Sequence, residues 1–313
     1  MATDRATSFS ELAAHAAKQH GLMTHKQAID AGLSRTAISR LVQSGVWQLV
    51  RPRVFRKAAG TQTEEQALRA LCLWLGKRVV VSHRSAARLL GLNMVRGDLE
   101  VTTHPGQRGD ALDGVVIHRS KSLPEKDIKE VRGIRVTNGA RTIIDLASVL
   151  TEDELAIVVE EAWRRKIATP AWVSERHAKL PARARRTGAL PDILSDCRRR
   201  DDPLESALAV RVWRLLKSAN LPRMCPEYEF RDDFGQPWHV DFAFPDHHLA
   251  IECDGYETHG DRESFENDRF RAARLVALGW RVMALTWRQV EQQPTKVIER
   301  IRQALRFRSQ TFG

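Results

Sequence analysis

Strict alternation of apolar and polar positions runs through W-H-V-D-F-A-F at 238–244 and L-A-I-E-C-D at 249–254. A period of two predicts a strand in each run, joined by a four-residue turn at Pro245–His248. Val240, Phe242 and Phe244 share one face of the first strand, and Leu249, Ile251 and Cys253 share one face of the second. If Phe244 faces Leu249, then Asp241 stands opposite Glu252 and His239 opposite Asp254, all on the second face. Like charges held about 4.5–5.5 Å apart across a sheet are destabilising. A divalent cation on Asp241, Glu252 and Asp254 would relieve them, and hard oxygen ligands suit Mg²⁺ or Mn²⁺. The alternative is a solvated polar face, and a one-residue bulge would break the register.

Helical spacing dominates the start of the chain. Phe9, Leu12, Ala13 and Ala16 predict a helix that Gly21 ends. Thr24 and Gln27 have the capping-box form at the head of a second helix, 26–31. Ser34 caps a third, 35–44, buried through Ile38, Leu41 and Val42. Two short strands, 46–50 and 54–56, turn at Arg51–Pro52–Arg53. Residues 1–60 therefore read as a winged helix-turn-helix. Arg35, Thr36, Ser39 and Arg40 on the third helix, with Arg51 and Arg53 on the wing, can reach phosphates and base edges. Small helical triplets also serve as protein-interaction modules.

Residues 61–165 alternate helical and strand patterns and read as a mixed α/β middle domain. His83, His104 and His118 lie far apart there, without a matching Cys or carboxylate pattern, and read as ordinary polar residues. Residues 166–201, punctuated by Pro170, Pro181 and Pro191 and crowded with arginine, read as a basic linker with some helix. In 202–313, Asp202–Pro203 predicts a helix start. The pattern then runs strand, hairpin, helix 263–278, strand 280–287 and terminal helix 295–307. Glu205 falls in the first turn of its helix, where a capping role is the plain explanation.

Composition adds a partner class. The 313 residues carry a net charge of +11, which favours an acidic polymer such as DNA. Four scattered cysteines without C-x-x-C exclude a zinc knuckle and a disulfide scaffold. Neither a signal-type apolar core nor a spanning apolar run is present, which predicts a cytoplasmic chain without a membrane partner. No pattern calls for a small-molecule cofactor.

Two resemblances sharpen this. G-L-M-T-H-K-Q-A-I-D-A-G-L-S-R-T-A-I-S-R-L-V-Q-S-G, followed by R-P-R-V-F-R, resembles the N-terminal domain of AbiEi-family antitoxins. Those are winged-helix repressors of type IV toxin–antitoxin operons, and the similarity continues more weakly to residue 147. It implies DNA contact through the third helix and wing, with a toxin partner or a homodimer as the protein partners to expect. The order α-β-β-β-α-β-α in 202–306, with V-D-F-A-F, L-A-I-E-C-D-G-Y-E-T-H and D-R-F-R-A-A-R-L-V-A-L-G-W-R-V, resembles the PD-(D/E)XK nuclease fold, specifically its Vsr-like subgroup. This implies a restriction-endonuclease-like α/β domain and, overall, a multidomain α/β (α+β) protein. By that resemblance Asp241 and Glu252 are metal ligands and Glu205 an outer acidic residue. Asp254 and His259 fall where the very short patch repair enzyme has two histidines.

The departure is at Asp254, where the superfamily carries lysine. No lysine occurs between Lys217 and Lys296. His259 as general base, Arg271 as charge stabiliser, or Asp254 as a third metal ligand are the alternatives, beside loss of hydrolysis. Arg269, Arg271 and Arg274 on the 263–278 helix are candidates to hold the DNA strand. The expected function is metal-dependent DNA hydrolysis in defence, toxin–antitoxin or repair; the alternative is a non-catalytic regulator using the C-terminal fold for binding or dimerisation.

Overall fold

A computed structural model describes residues 12, 14–58, 61–76, 79–92, 95–105, 113–185, 187–232, 234–254 and 262–306, with backbone alone for 262–269. The chain divides into two units, Met1–Val158 with Ile167–Leu194, and Val159–Lys166 with Ser195–Gly313.

The first unit opens with the expected winged helix. Strand β1 (Leu22–Thr24) leads to α1 (His25–Asp30), α2 (Arg35–Gln43), β2 (Trp47–Arg51) and β3 (Val54–Lys57). Thr24 and Gln27 close the capping box, and Ser34 accepts from the Ala37 N–H at 3.1 Å. Ile38, Trp47 and Phe55 pack with Leu12 and Ala16. β1 was not expected. Its three residues pair with Val54–Arg56, thirty or more positions away, and so carry no local period.

Helix α3 (Glu64–Leu75) follows, then β4 (Val80–Val81), α4 (His83–Leu89), β5 (Leu99–Thr103), β6 (Val115–Arg119), β7 (Ile128–Val131), β8 (Ile134–Thr137) and α5 (Gly139–Leu146). The strands form one sheet ordered β6-β5-β4-β8-β7. Leu68, Leu71 and Leu75 of α3 bury against Val81, Val101, Ile134 and Val136 of the sheet. Ala70, on another side of the same helix, packs with Leu22 and Val54 of the winged helix.

Helix α6 (Glu152–Arg164) precedes the stretch expected as a basic linker. The helix expected within 166–201 is present and packed. Helix α7 (Pro170–Ala178) buries Val173, and α8 (Leu190–Cys197) buries Leu190, Ile193, Leu194 and Cys197. Arg176 Nε donates to Asp127 Oδ1 at 2.5 Å and Arg141 Nη1 to Asp127 Oδ2 at 3.2 Å, so a fully buried carboxylate anchors α7. Both helices fall where helix was expected within the basic stretch, and their few apolar positions face inward.

The second unit holds α9 (Ala207–Ser218), β9 (Cys225–Arg231), β10 (Pro237–Phe244), β11 (Leu249–Asp254), α10 (Arg262–Ala277), β12 (Arg281–Thr286), α11 (Trp287–Gln292) and α12 (Pro294–Arg306). Its sheet runs β12-β11-β10-β9, with β11 and β12 parallel and the other pairs antiparallel. The expected helix start at Asp202–Pro203 is corrected: Ser206 is the cap, accepting from Ala209 at 3.0 Å. The Leu204 N–H goes to Glu160 Oε2 at 3.1 Å and the Glu205 N–H to Glu227 Oε1 at 3.2 Å. Carboxylates thus claim two donors that a helix starting at 203 would point along its axis.

Candidate functional site

The hairpin closes with Phe244↔Leu249, Ala243↔Ala250 and Phe242↔Ile251, as the alternation requires, and its ladder runs no farther outward. Asp241 and Glu252 are not ladder partners, and neither are His239 and Asp254. Instead Asp241 Oδ2 accepts from the Cys253 N–H at 2.6 Å. Packing marks the same break: Val240 clusters with Ala243, Ala250, Leu275 and Trp280, whereas Phe242 stacks on Trp213 of α9 with centroids 6.2 Å apart. The expected common face of Val240, Phe242 and Phe244 is corrected to two faces. A carboxylate at the point of divergence substitutes for a main-chain acceptor.

On its other edge β10 pairs with β9, with His239 opposite Glu229 and Val240 opposite Tyr228. Continuing that register sets Glu227 across from Asp241. Glu227 was absent from the sequence expectation, although E-Y-E-F-R alternates and Tyr228 and Phe230 lie against Trp280. The signal was there: a strand with Tyr228 and Phe230 inward must turn Glu227 toward the acidic face.

Ligand-capable atoms of Glu205, Glu227 and His239 all lie within 4.8 Å of one another. Glu227 Oε2 is 3.0 Å from His239 Nε2 without the alignment of a hydrogen bond, and is buried with no hydrogen-bond partner among the described residues. Burial first, then the Glu205 and Asp241 carboxylates, push the Glu227 pKa up to about 7, against the Glu205 backbone N–H that lowers it. Such a group of atoms can hold a cation. Two carboxylates and an imidazole, with Asp241 nearby, fit Mg²⁺ or Mn²⁺, the imidazole favouring Mn²⁺.

The remaining candidates are placed as follows. Glu252 is paired by Arg271 Nη2 at 3.3 Å, and the same nitrogen donates to the His239 carbonyl. Asp254 is exposed at the end of β11, beside Thr286 of β12. Glu205 is exposed and precedes α9. Arg274 lies 3.7 Å from Asp232 and over the Phe234 ring at 5.8 Å. His259 and the Arg269 side chain lie outside the described residues. The Cys253 thiol is pushed far above its ordinary value by burial and then by Asp241, so it offers no thiolate.

In the first unit Arg35, Thr36, Ser39 and Arg40 are exposed together on α2, and Arg53 is exposed on the wing in a left-handed conformation, φ 63°. Arg51 is half-buried and donates to the Val50 carbonyl at 2.9 Å.

Comparisons with known proteins match both ends of the chain. Residues 10–52 match the model of a transcriptional regulator, AbiEi antitoxin. Residues 227–305 match REase_MTES_1575. The chain thus carries an AbiEi antitoxin-like regulator domain and a restriction endonuclease-like domain. The restriction endonuclease-like match begins at Glu227 and contains His239, Asp241 and Glu252. Two relatives from Mycobacterium tuberculosis, the uncharacterized proteins MT2308 (strain CDC 1551 / Oshkosh) and Rv2248 (strain ATCC 25618 / H37Rv), are each 25% identical over 75% of this chain and 84% of their own length. The crystal structure of RV2827C protein from M. tuberculosis aligns at a TM-score of 0.43 and 15% identity, over 72% of this chain and 89% of that one. Among the described residues no helix is long and apolar enough to cross a membrane.

Proposed function

We propose that this chain is a DNA-binding protein whose restriction endonuclease-like domain hydrolyses phosphodiester bonds with a divalent cation. The observation that carries the reading is Glu227 Oε2, buried, without a hydrogen-bond partner among the described residues, and crowded by Glu205 and Asp241. Asp241 and Glu227 would hold Mg²⁺ or Mn²⁺, with Glu205, His239, Glu252 and Asp254 around them. A bound cation supplies charge neutralisation at the attacked phosphate and a more acidic water. Arg271, about two-fifths exposed, presents its guanidinium to phosphate oxygens beside Glu252. His259, or a carboxylate of this cluster, takes the proton that the absent lysine would otherwise manage. The domain resembles the Vsr-like subgroup and acts in a defence, toxin–antitoxin or repair setting. The α2 face and wing bring it to the duplex, with Arg35, Arg40 and Arg53 on phosphates and Thr36 and Ser39 toward base edges.

A second reading has its own support. The Arg271–Glu252 pair neutralises one expected ligand from within, and no lysine stands at 254. Both suit a regulator in which this fold binds or dimerises without cutting. Metal-dependent nicking of supercoiled plasmid separates the two.

A further inference from the structure

The first unit contains a second convergence of donors. Glu100 on β5 and His118 on β6 are diagonal neighbours on one face of parallel strands, Thr102 being the direct partner of His118. His83, the first residue of α4, brings its ring to the same point. The His83 and His118 rings stack with centroids 3.5 Å apart and 14° between planes. His118 Nε2 is 2.6 Å and His83 Nδ1 4.0 Å from Glu100 Oε2. Donor atoms of all three lie within 4.8 Å of one another. His104 takes no part, its Nδ1 lying 2.9 Å from the Pro105 carbonyl. The carboxylate that the sequence did not pair with these histidines is Glu100.

A self-satisfied polar cluster is the plain explanation, and it accounts for Arg84 on Glu100 Oε1 at 2.7 Å. It does not account for the rest. His83 has φ 51°, a left-handed conformation costing of order 1–3 kcal/mol in a non-glycine residue, yet its side chain is buried. Supporting hydroxyls also fix the donors: Ser82 Oγ holds His83 Nδ1 at 2.9 Å and accepts from Thr102 Oγ1 at 2.7 Å, while Ser85 Oγ accepts from the Glu100 N–H at 2.8 Å. Outer partners of this kind orient metal ligands.

We infer that His83, Glu100 and His118 form a binding site for a divalent first-row transition metal, Zn²⁺ foremost. Two imidazoles and one carboxylate are a recurrent zinc donor set and leave a fourth position. The His118 side chain is 23% exposed against 1% for Glu100, so the site opens to water past that ring. One nitrogen of each ring and a Glu100 oxygen would be the ligands.

The test uses the full chain, stripped with chelator and titrated with Co²⁺ as a spectroscopic substitute for Zn²⁺. The expected result is a visible ligand-field band that saturates at one equivalent per chain in Glu227→Gln/His239→Gln, is displaced by Zn²⁺ and is lost when His118→Ala is added. That double variant removes the donors of the other unit and keeps this outcome independent of the nuclease reading. Ser82→Ala weakens Zn²⁺ binding about 10–100-fold. Absence of the band from Glu227→Gln/His239→Gln, or its persistence when His118→Ala is added, would overturn the assignment. Should His118→Ala not fold by circular dichroism, imidazole ¹⁵N spectra of the unaltered chain decide: Zn²⁺ shifts ring nitrogens of His83 and His118, and unmoved resonances refute the site.

Discussion

The Asp241 carboxylate accepts a 2.6 Å hydrogen bond from the Cys253 N–H where β10 leaves β11. One side chain therefore both ends the ladder and supplies charge to the acidic cluster. Asp241→Ala strands a partly buried donor and is expected to destabilise the second unit by about 1–3 kcal/mol. Asp241→Asn keeps an acceptor there and loses less. Urea denaturation of the two variants measures the difference; equal losses would remove the Cys253 bond from the account.

Glu227 should make stability fall as pH rises. Its folded pKa is raised from 4.5 to about 7, so between those values the folded chain binds more protons than the unfolded one, and unfolding becomes easier as pH increases. Glu227→Gln should flatten that slope and leave the variant more stable than the parent at pH 8. Mn²⁺ should release a proton on binding, so its affinity rises with pH through about 7. Denaturation series at several pH values, with calorimetry in two buffers, test both statements.

Gly139 heads α5 where the chain passes at Ile167; a Cβ there would sit 2.2 Å from the Ile167 carbonyl oxygen and 3.0 Å from its carbon. Neither atom belongs to a flexible side chain. Gly139→Ala should lower stability by about 1–3 kcal/mol through overpacking, read as a reduced urea midpoint.

Removing Arg176 takes a guanidinium from buried Asp127 and leaves only Arg141 beside it. Arg176→Ala should cost about 3 kcal/mol, the range for breaking a buried pair. A true linker would lose nothing. Hydrogen exchange over 170–178 supplies the local readout, with faster exchange expected in the variant.

Arg35→Ala with Arg40→Ala should weaken duplex binding and flatten its salt dependence by nearly two in the log–log slope, if each contacts one phosphate. Fluorescence anisotropy across a salt series checks this. An unchanged slope would take α2 out of the interface.

Local chemistry made much of this fold legible. Thr24–Gln27 and Ser34 are caps whose partners lie three residues away, so the sequence displays both sides of each bond. Phe242–Phe244 and Leu249–Ile251 likewise reveal their pairing through period and turn length. Where a side chain answers to a distant partner, the pattern misleads. Asp241 leaves the expected register because it bonds Cys253 N–H, and the helix expected at Asp202 starts later because Glu160 and Glu227 take the Leu204 and Glu205 donors. Glu227 itself was readable from the inward Tyr228 and Phe230, but an acidic residue on a half-exposed strand has no signature until its neighbours are placed.

The central claim is hydrolysis by the acidic cluster, and supercoiled-plasmid nicking with Mg²⁺, Mn²⁺ or EDTA tests it most directly, beside Asp241→Asn/Glu252→Gln and Glu227→Gln. Nicking is expected with Mn²⁺ or Mg²⁺, none with EDTA, and loss in both variants while duplex binding persists. Nicking that survives in folded Asp241→Asn/Glu252→Gln, or duplex binding by the unaltered chain with no nicking under any cation, would contradict it.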